Sequence, residues 1–184
     1  MGTQTIHQRP ATADDREAIR EVARAAWHDA YDDLDAATID ETVDDWYDDE
    51  AFEDALEKPG TAVIVAEVGG PAEDDGDADG DGDDATDEPS LVGFVHGVVS
   101  EDEGNVLRIY VHPDHQGHGI GTGLHERLRE DLEDFNMARM RAIDLASNDA
   151  SRQFYEELGY DRREEGSVEI GGEERQEAVY TLEL

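Results

Sequence analysis

Between Val106 and Leu132 a short apolar run, Val106 to Val111, meets a turn at His112-Pro113-Asp114. Four glycines then alternate with other residues, Gly117, Gly119, Gly121 and Gly123, where a helical pattern begins. Glycine lets a backbone approach a ligand closely, and the first turn of a helix presents unpaired N–H groups at the positive end of its dipole. A strand, a glycine loop and a helix in this order therefore form a main-chain anion cradle. Two classes of phosphate binder are excluded. A Walker loop needs a lysine, and the only lysine is Lys58. A dinucleotide fingerprint fails in all three registers, because Thr122, Leu124 and Glu126 stand where its last glycine belongs.

Gln116, Gly119 and Gly121 do satisfy Gln-x-x-Gly-x-Gly, and Tyr110 to Pro113 provides a Tyr-Val-x-Pro lead-in. The stretch resembles the coenzyme A loop of the GNAT acyltransferases. A second segment, Asn148 to Tyr160, resembles that family's other hallmark, Asn-x-x-Ser/Ala-x-x-Phe-Tyr-x-x-x-Gly-Tyr/Phe, and lies 25 residues beyond Gly123. The resemblance implies an α/β GNAT acyltransferase fold. Its central sheet is mixed, mostly antiparallel, splayed between the fourth and fifth strands and flanked by helices.

By that resemblance acetyl-CoA is the acyl donor, with no metal. Its pyrophosphate sits on the main-chain N–H groups of Gln116, Gly117, His118, Gly119, Ile120, Gly121 and Thr122, and its pantetheine arm runs beside Ile109, Tyr110 and Val111. The Val111 amide polarises the thioester carbonyl, an amine attacks directly in a ternary complex, and Tyr155 protonates the leaving thiolate. Asn148 contacts the cofactor or, alternatively, only caps a helix; Tyr155 likewise has plain aromatic packing as its alternative. Candidate general bases are Glu103, His112 and Asp144, with water as the substitute. A non-catalytic acyl-CoA sensor or interaction subunit of the same fold is the competing function.

In chain order, Thr3 to Arg9 reads as a strand. Thr12 reads as an N-cap with Asp15 reaching back, opening a helix over 13–31 whose apolar face is Ile19, Val22, Ala23, Ala26 and Trp27. Trp27 and Tyr31 are the candidate substrate-binding residues, against core packing. A second helix over 36–56 breaks near Asp48-Asp49. Strands at 61–68 and 91–99 form a hairpin, and Glu101 to Asn105 turns into the fourth strand. Ile120, Leu124, Leu128, Leu132 and Phe135 make a helical stripe. A strand at 139–146, a helix stopped by Gly159, and strands at 160–170 and 175–184 complete a single domain over 1–184. Phe154 and Leu158 read as core.

Gly69 to Ser90 is a different kind of segment. It holds ten acidic residues and no basic one, too little apolar surface to offset ordering, and reads as a flexible insertion. Within it Asp77, Asp79, Asp81, Gly82 and Glu88 match a calcium loop, but Asp84 stands at a position that is usually apolar and no amphipathic helices flank it. Weak cation association is the expectation.

Charge limits the partners. Fifty acidic against fourteen basic residues give a net charge of −36, which repels nucleic acid and anionic membranes. The expected partner is an amine acceptor, small molecule or peptide, and a homodimer is compatible with this. At about 1 M salt the Debye length is about 3 Å, so distant carboxylates steer nothing, and the acidity reads as halophilic solubility rather than substrate steering. Without cysteine there is no disulfide or thiolate site. His112, His115, His118 and His125 are spread over strand end, loop and helix and read as loop and surface groups rather than metal ligands. The absence of an apolar run of membrane length or a signal pattern points to a cytoplasmic protein.

Overall fold

The computed structural model describes residues 5–69 and 89–184. Its strands are β1 Ile6–Pro10, β2 Thr61–Val68, β3 Ser90–Ser100, β4 Glu103–Val111, β5 Arg139–Leu145, β6 Asp161–Ile170 and β7 Glu173–Glu183. Its helices are α1 Arg16–Ala30, α2 Ala36–Trp46, α3 Asp49–Glu57, α4 Ile120–Glu133 and α5 Asp149–Glu157. The strands form one sheet in the order β1-β2-β3-β4-β5-β7-β6. Only the β4–β5 pair is parallel.

Both faces of the central strands are covered, which is why β2 reads as a continuous β-branched run rather than an alternation. On one face α1, α2 and α3 bury Ile19, Val22, Val43 and Phe52 against Val65 and Phe94. On the other, Leu124, Leu128 and Leu132 of α4 pack on Ile64, Val95 and Ala142. The approach of α4 is close enough to demand glycine below it: a Cβ on Gly97 would meet Leu128 at 2.7 Å.

The pairing of β4 with β5 decides where a ligand can enter. It runs from Glu103↔Arg139 to Val106↔Ala142 and stops there. The β3–β4 register shifts at His96/Gly97, leaving Leu107 at the irregularity and 45% exposed. Beyond it, Arg108 to Val111 pair with β3 alone, so the sheet opens between its fourth and fifth strands.

Several boundaries differ from the sequence-based expectation, each for a local reason. The expected helix over 13–31 begins as a 3-10 turn, Ala13–Asp15, because the Asp15 carboxylate accepts from the Thr12 N–H at 2.8 Å and pairs with Arg9 at 2.7 Å. The second helix does break near Asp48-Asp49 as expected, into two helices, where Asp48, extended, accepts the Ala51 N–H at 2.8 Å and caps α3. Phe135 leaves the apolar stripe: α4 ends at Glu133 and Phe135 is 47% exposed. The turn before β4 is only two residues, Glu101 taking a φ of 59°. β2 and β3 do form the expected hairpin, with Val68 opposite Ser90; the insertion and the calcium-like match fall on 70–88, outside the described residues. Among the described residues no helix is long and apolar enough to cross a membrane.

Candidate active site

A cleft of about 840 Å³ lies where β4 and β5 part. Ile109, Tyr110 and Val111 form one wall, Gln116 to Thr122 the rim, and Ser147 to Phe154 the opposite wall. Antiparallel pairing aims the first wall. His112 N–H donates to Val92 O at 2.7 Å, so the neighbouring pair Gly93↔Val111 is the non-bonded type and Val111 turns its N–H and C=O away from β3, toward the opening. Its carbonyl accepts from Gln116 Nε2 at 3.0 Å, which anchors the loop to the strand.

The rim has the character of an anion cradle. Gly117 and Gly119 take φ of +80° and +78°, and nothing lies within 4 Å of where their Cβ atoms would be. Gly119 is the N-cap of α4, and the Gly123 N–H, 3.0 Å from its carbonyl, makes the first bond of the helix. The N–H groups of Ile120, Gly121 and Thr122 consequently have no intrahelical acceptor, and they face open space at the positive end of the helix dipole. Such a surface fits a diphosphate.

Tyr155 does not line the cleft. Phe154 does, and Tyr155 lies behind it, 3% exposed, stacked on Tyr180 at 5.0 Å and edge-on to Tyr160 at 5.3 Å. Burial, and then Asp144, Tyr160 and Tyr110, hold its hydroxyl well above the ordinary tyrosine range. The ring is core. At neutral pH the hydroxyl is protonated.

Asn148 is both a cap and a cleft residue. Its Oδ1 accepts the Ser151 N–H at 3.1 Å, and its Nδ2 donates to the Tyr31 hydroxyl at 3.1 Å. Tyr31 donates in turn to Asp144 at 3.1 Å, and Asp144 also accepts from Ser151 Oγ and from the Leu145 N–H at 2.7 Å. Burial raises the Asp144 carboxyl despite these donors. The other two candidate bases are placed differently: Glu103 pairs with Arg139 at 3.3 Å at the closed end of the β4–β5 ladder, and His112 Nδ1 accepts the Asp114 N–H at 3.2 Å.

Residues 18–160 match the acetyltransferase (GNAT) family. The chain belongs to that family. It is 35% identical over 75 residues to the [ribosomal protein bS18]-alanine N-acetyltransferase of Escherichia coli (strain K12), a match covering 41% of this chain and 51%, about half, of that relative. Its fold is similar to that of the PaiA N-acetyltransferase of Thermoplasma acidophilum, solved in complex with coenzyme A. The TM-score is 0.70 at 18% identity over 94% of this chain and 98% of that one. The Escherichia coli ribosomal-protein-S18-alanine N-acetyltransferase gives a TM-score of 0.64 at 16% identity, over 97% and 94% of the two chains. The α/β architecture with an open mixed sheet is thus the GNAT fold.

Within this family member, three further residues singled out from sequence stand apart from the cleft, besides Tyr155. Trp27 and Tyr31 are each 5% exposed and pack with Ile39, Leu145 and Ile170, and Trp27 Nε1 donates to the Tyr110 hydroxyl at 2.9 Å. Neither presents a surface to an acceptor; the alternation of a buried helical face carries both inward. His118 is exposed on the loop, its Nδ1 3.2 Å from His115 O. The cleft also contains residues that sequence reading passed over, chiefly Ala26, Asp29 and Ala30 at the end of α1, and Phe154, which had read as core. Phe154 is drawn there by Gly121, whose Cβ would stand 3.2 Å from its ring.

Proposed function

We propose that this protein is an acetyl-CoA-dependent N-acyltransferase that moves an acetyl group to a primary amine of a small molecule or peptide. The observation that carries the reading is the cleft itself: an open sheet whose β4 edge and α4 N-terminus both offer unpaired main-chain donors. Bound acetyl-CoA supplies an activated thioester. The first-turn N–H groups hold its diphosphate, and β4 offers Ile109 to Val111 as a pairing edge for the pantetheine arm. The Val111 N–H is the donor for the developing oxyanion, a contribution of about 3 kcal/mol for a fixed donor of this kind. Tyr155, kept protonated by burial, donates to the leaving sulfur. Asp144, the candidate base that stands where the strands part and whose carboxyl is raised by burial, accepts the proton released by the amine.

The relatives' printed activities support N-acetyl transfer to an amine. Calorimetry with acetyl-CoA, followed by thiol release assayed over a panel of amines in molar KCl, tests the proposal. Saturable binding and amine-dependent thiol release are expected. Binding without transfer to any amine would leave a sensor of the same fold.

We infer further that the −36 charge is an adaptation to high salt in a cytoplasmic setting. Self-repulsion among carboxylates is relieved by screening. Thermal stability is then expected to rise with KCl into the molar range, and a flat or falling dependence would remove the inference.

A further inference from the structure

Fifty carboxylates surround thirteen arginines and one lysine in this chain. Among the described residues, ten of those arginines lie within 4.0 Å of an Asp or Glu oxygen. Lys58 and Arg129 are exposed and hydrated. Arg108 and Arg141 belong to neither group: both are partly buried and, among the described residues, neither has a carboxylate within that distance.

They share one face of the sheet. Met140 and Ala142 of β5 point into the α4-side core, so by alternation Arg141 and Ile143 point to the opposite face. Arg108 of β4 points the same way, its guanidinium carbon 4.2 Å from the Trp46 ring centroid and 5.2 Å from that of Tyr47. Arg141 stands within the β4–β5 ladder, opposite Asn105, whereas Arg108 lies beyond its last pair, Val106↔Ala142, where the sheet opens, on the side away from α4. Leu107 and Ile143, 45% and 38% exposed, lie beside them. Buried His96, opposite Arg108 on β3, is pushed down to about 4 by burial and then by the Arg108 charge. Stacking on Trp46 holds the guanidinium fork in one orientation, and such a fork matches a carboxylate.

We infer that Arg108 binds a carboxylate of the acceptor, so that the amine acetylated by this protein also carries a carboxylate. The inference rests on the proposed acetyl transfer. Arg108 stands three residues before Val111, about 10 Å along the strand. The acidic side chain near the N-terminus of a peptide, or the far end of an ω-amino acid, spans that distance less the reach of the arginine. Screening in high salt removes the long-range repulsion of such an acceptor by the acidic surface but leaves a contact pair intact.

The test compares matched amines in molar KCl. One pair is the C-terminally amidated dipeptides Ala-Glu and Ala-Gln; the other is ω-aminohexanoate and its amide. In at least one pair the carboxylate member is expected to have a kcat/KM about tenfold or more above its amide, mainly through KM. The pair that shows this distinguishes peptide from small-molecule acceptors. R108Q is expected to abolish the difference with acetyl-CoA affinity and circular dichroism unchanged, and R108K to keep part of it. Equal rates within both pairs, or a preference that survives in R108Q, would overturn the assignment while acetyl transfer stands. Failure of every amine to react would instead remove the proposed transfer, and this inference with it.

Discussion

Asn148 Nδ2 and the Tyr31 hydroxyl are 3.1 Å apart, joining the cap of α5 to the residue that ends α1 across 117 positions of sequence. Through Tyr31 the contact continues to Asp144, so the end of α1, β5 and the Ser147 to Phe154 wall of the cleft share one hydrogen-bonded chain.

Tyr31→Phe removes the link to both partners and leaves the buried ring in place. It is expected to lower stability by about 1–2 kcal/mol, read from denaturant midpoints at constant m-value. Asn148→Ala should cost about 1 kcal/mol through the lost cap to Ser151 and should also raise the KM for acetyl-CoA, because Asn148 lines the cleft. An unchanged midpoint in Tyr31→Phe would show that the chain contributes nothing net.

Gly119 is tied to its left-handed backbone, φ +78°, and to an open rim. Alanine there is strained by about 1–2 kcal/mol and places a methyl group where the anion would sit. We expect Gly119→Ala to weaken acetyl-CoA binding by at least about tenfold in titration calorimetry, beyond any loss of thermal stability. Tight binding by a well-folded Gly119→Ala protein would move the diphosphate off this loop.

Tyr155→Phe separates the ring from the hydroxyl. The ring is stacked on Tyr180 and buried, so the variant should fold and keep its affinity for acetyl-CoA. Loss of the proton donor should lower kcat by more than about tenfold, within the range for general acid catalysis. Unchanged turnover would leave Tyr155 a core aromatic only.

His96 and His125 set the acid limit of stability. Each is buried and pushed down to about 4, His96 by burial and then Arg108, His125 by burial and then Arg129. An unfolded histidine titrates near about 6.5. Between those values the unfolded chain binds more protons than the folded one, so stability falls as pH drops from about 6.5 toward 4, by roughly 3 kcal/mol per histidine. Asp144, whose carboxyl is raised, acts in the opposite sense. The urea midpoint measured across this window should fall, and His125→Gln should flatten the fall; a flat wild-type profile would refute the assignment.

The glycine spacing, the Asn148 cap, the β-branched run of β2 and the stripe of α4 are local patterns. Turn chemistry and side-chain period act within a few residues, so the sequence by itself determined the elements, their order and the character of the anion cradle. Contacts between distant elements are not written in that way. Trp27 and Tyr31 became core because β5 and β6 supply Leu145 and Ile170 to cover them. Tyr155 was withdrawn behind Phe154 by Tyr160 and Tyr180. Arg108 and Arg141 look, in sequence, like any other arginines of an acidic chain. Arg108 is set apart because the β4–β5 ladder stops at Val106↔Ala142 and stacking over Trp46 holds its guanidinium beyond that end. Both effects arise from pairings across long stretches of chain, and only the tertiary structure could decide them.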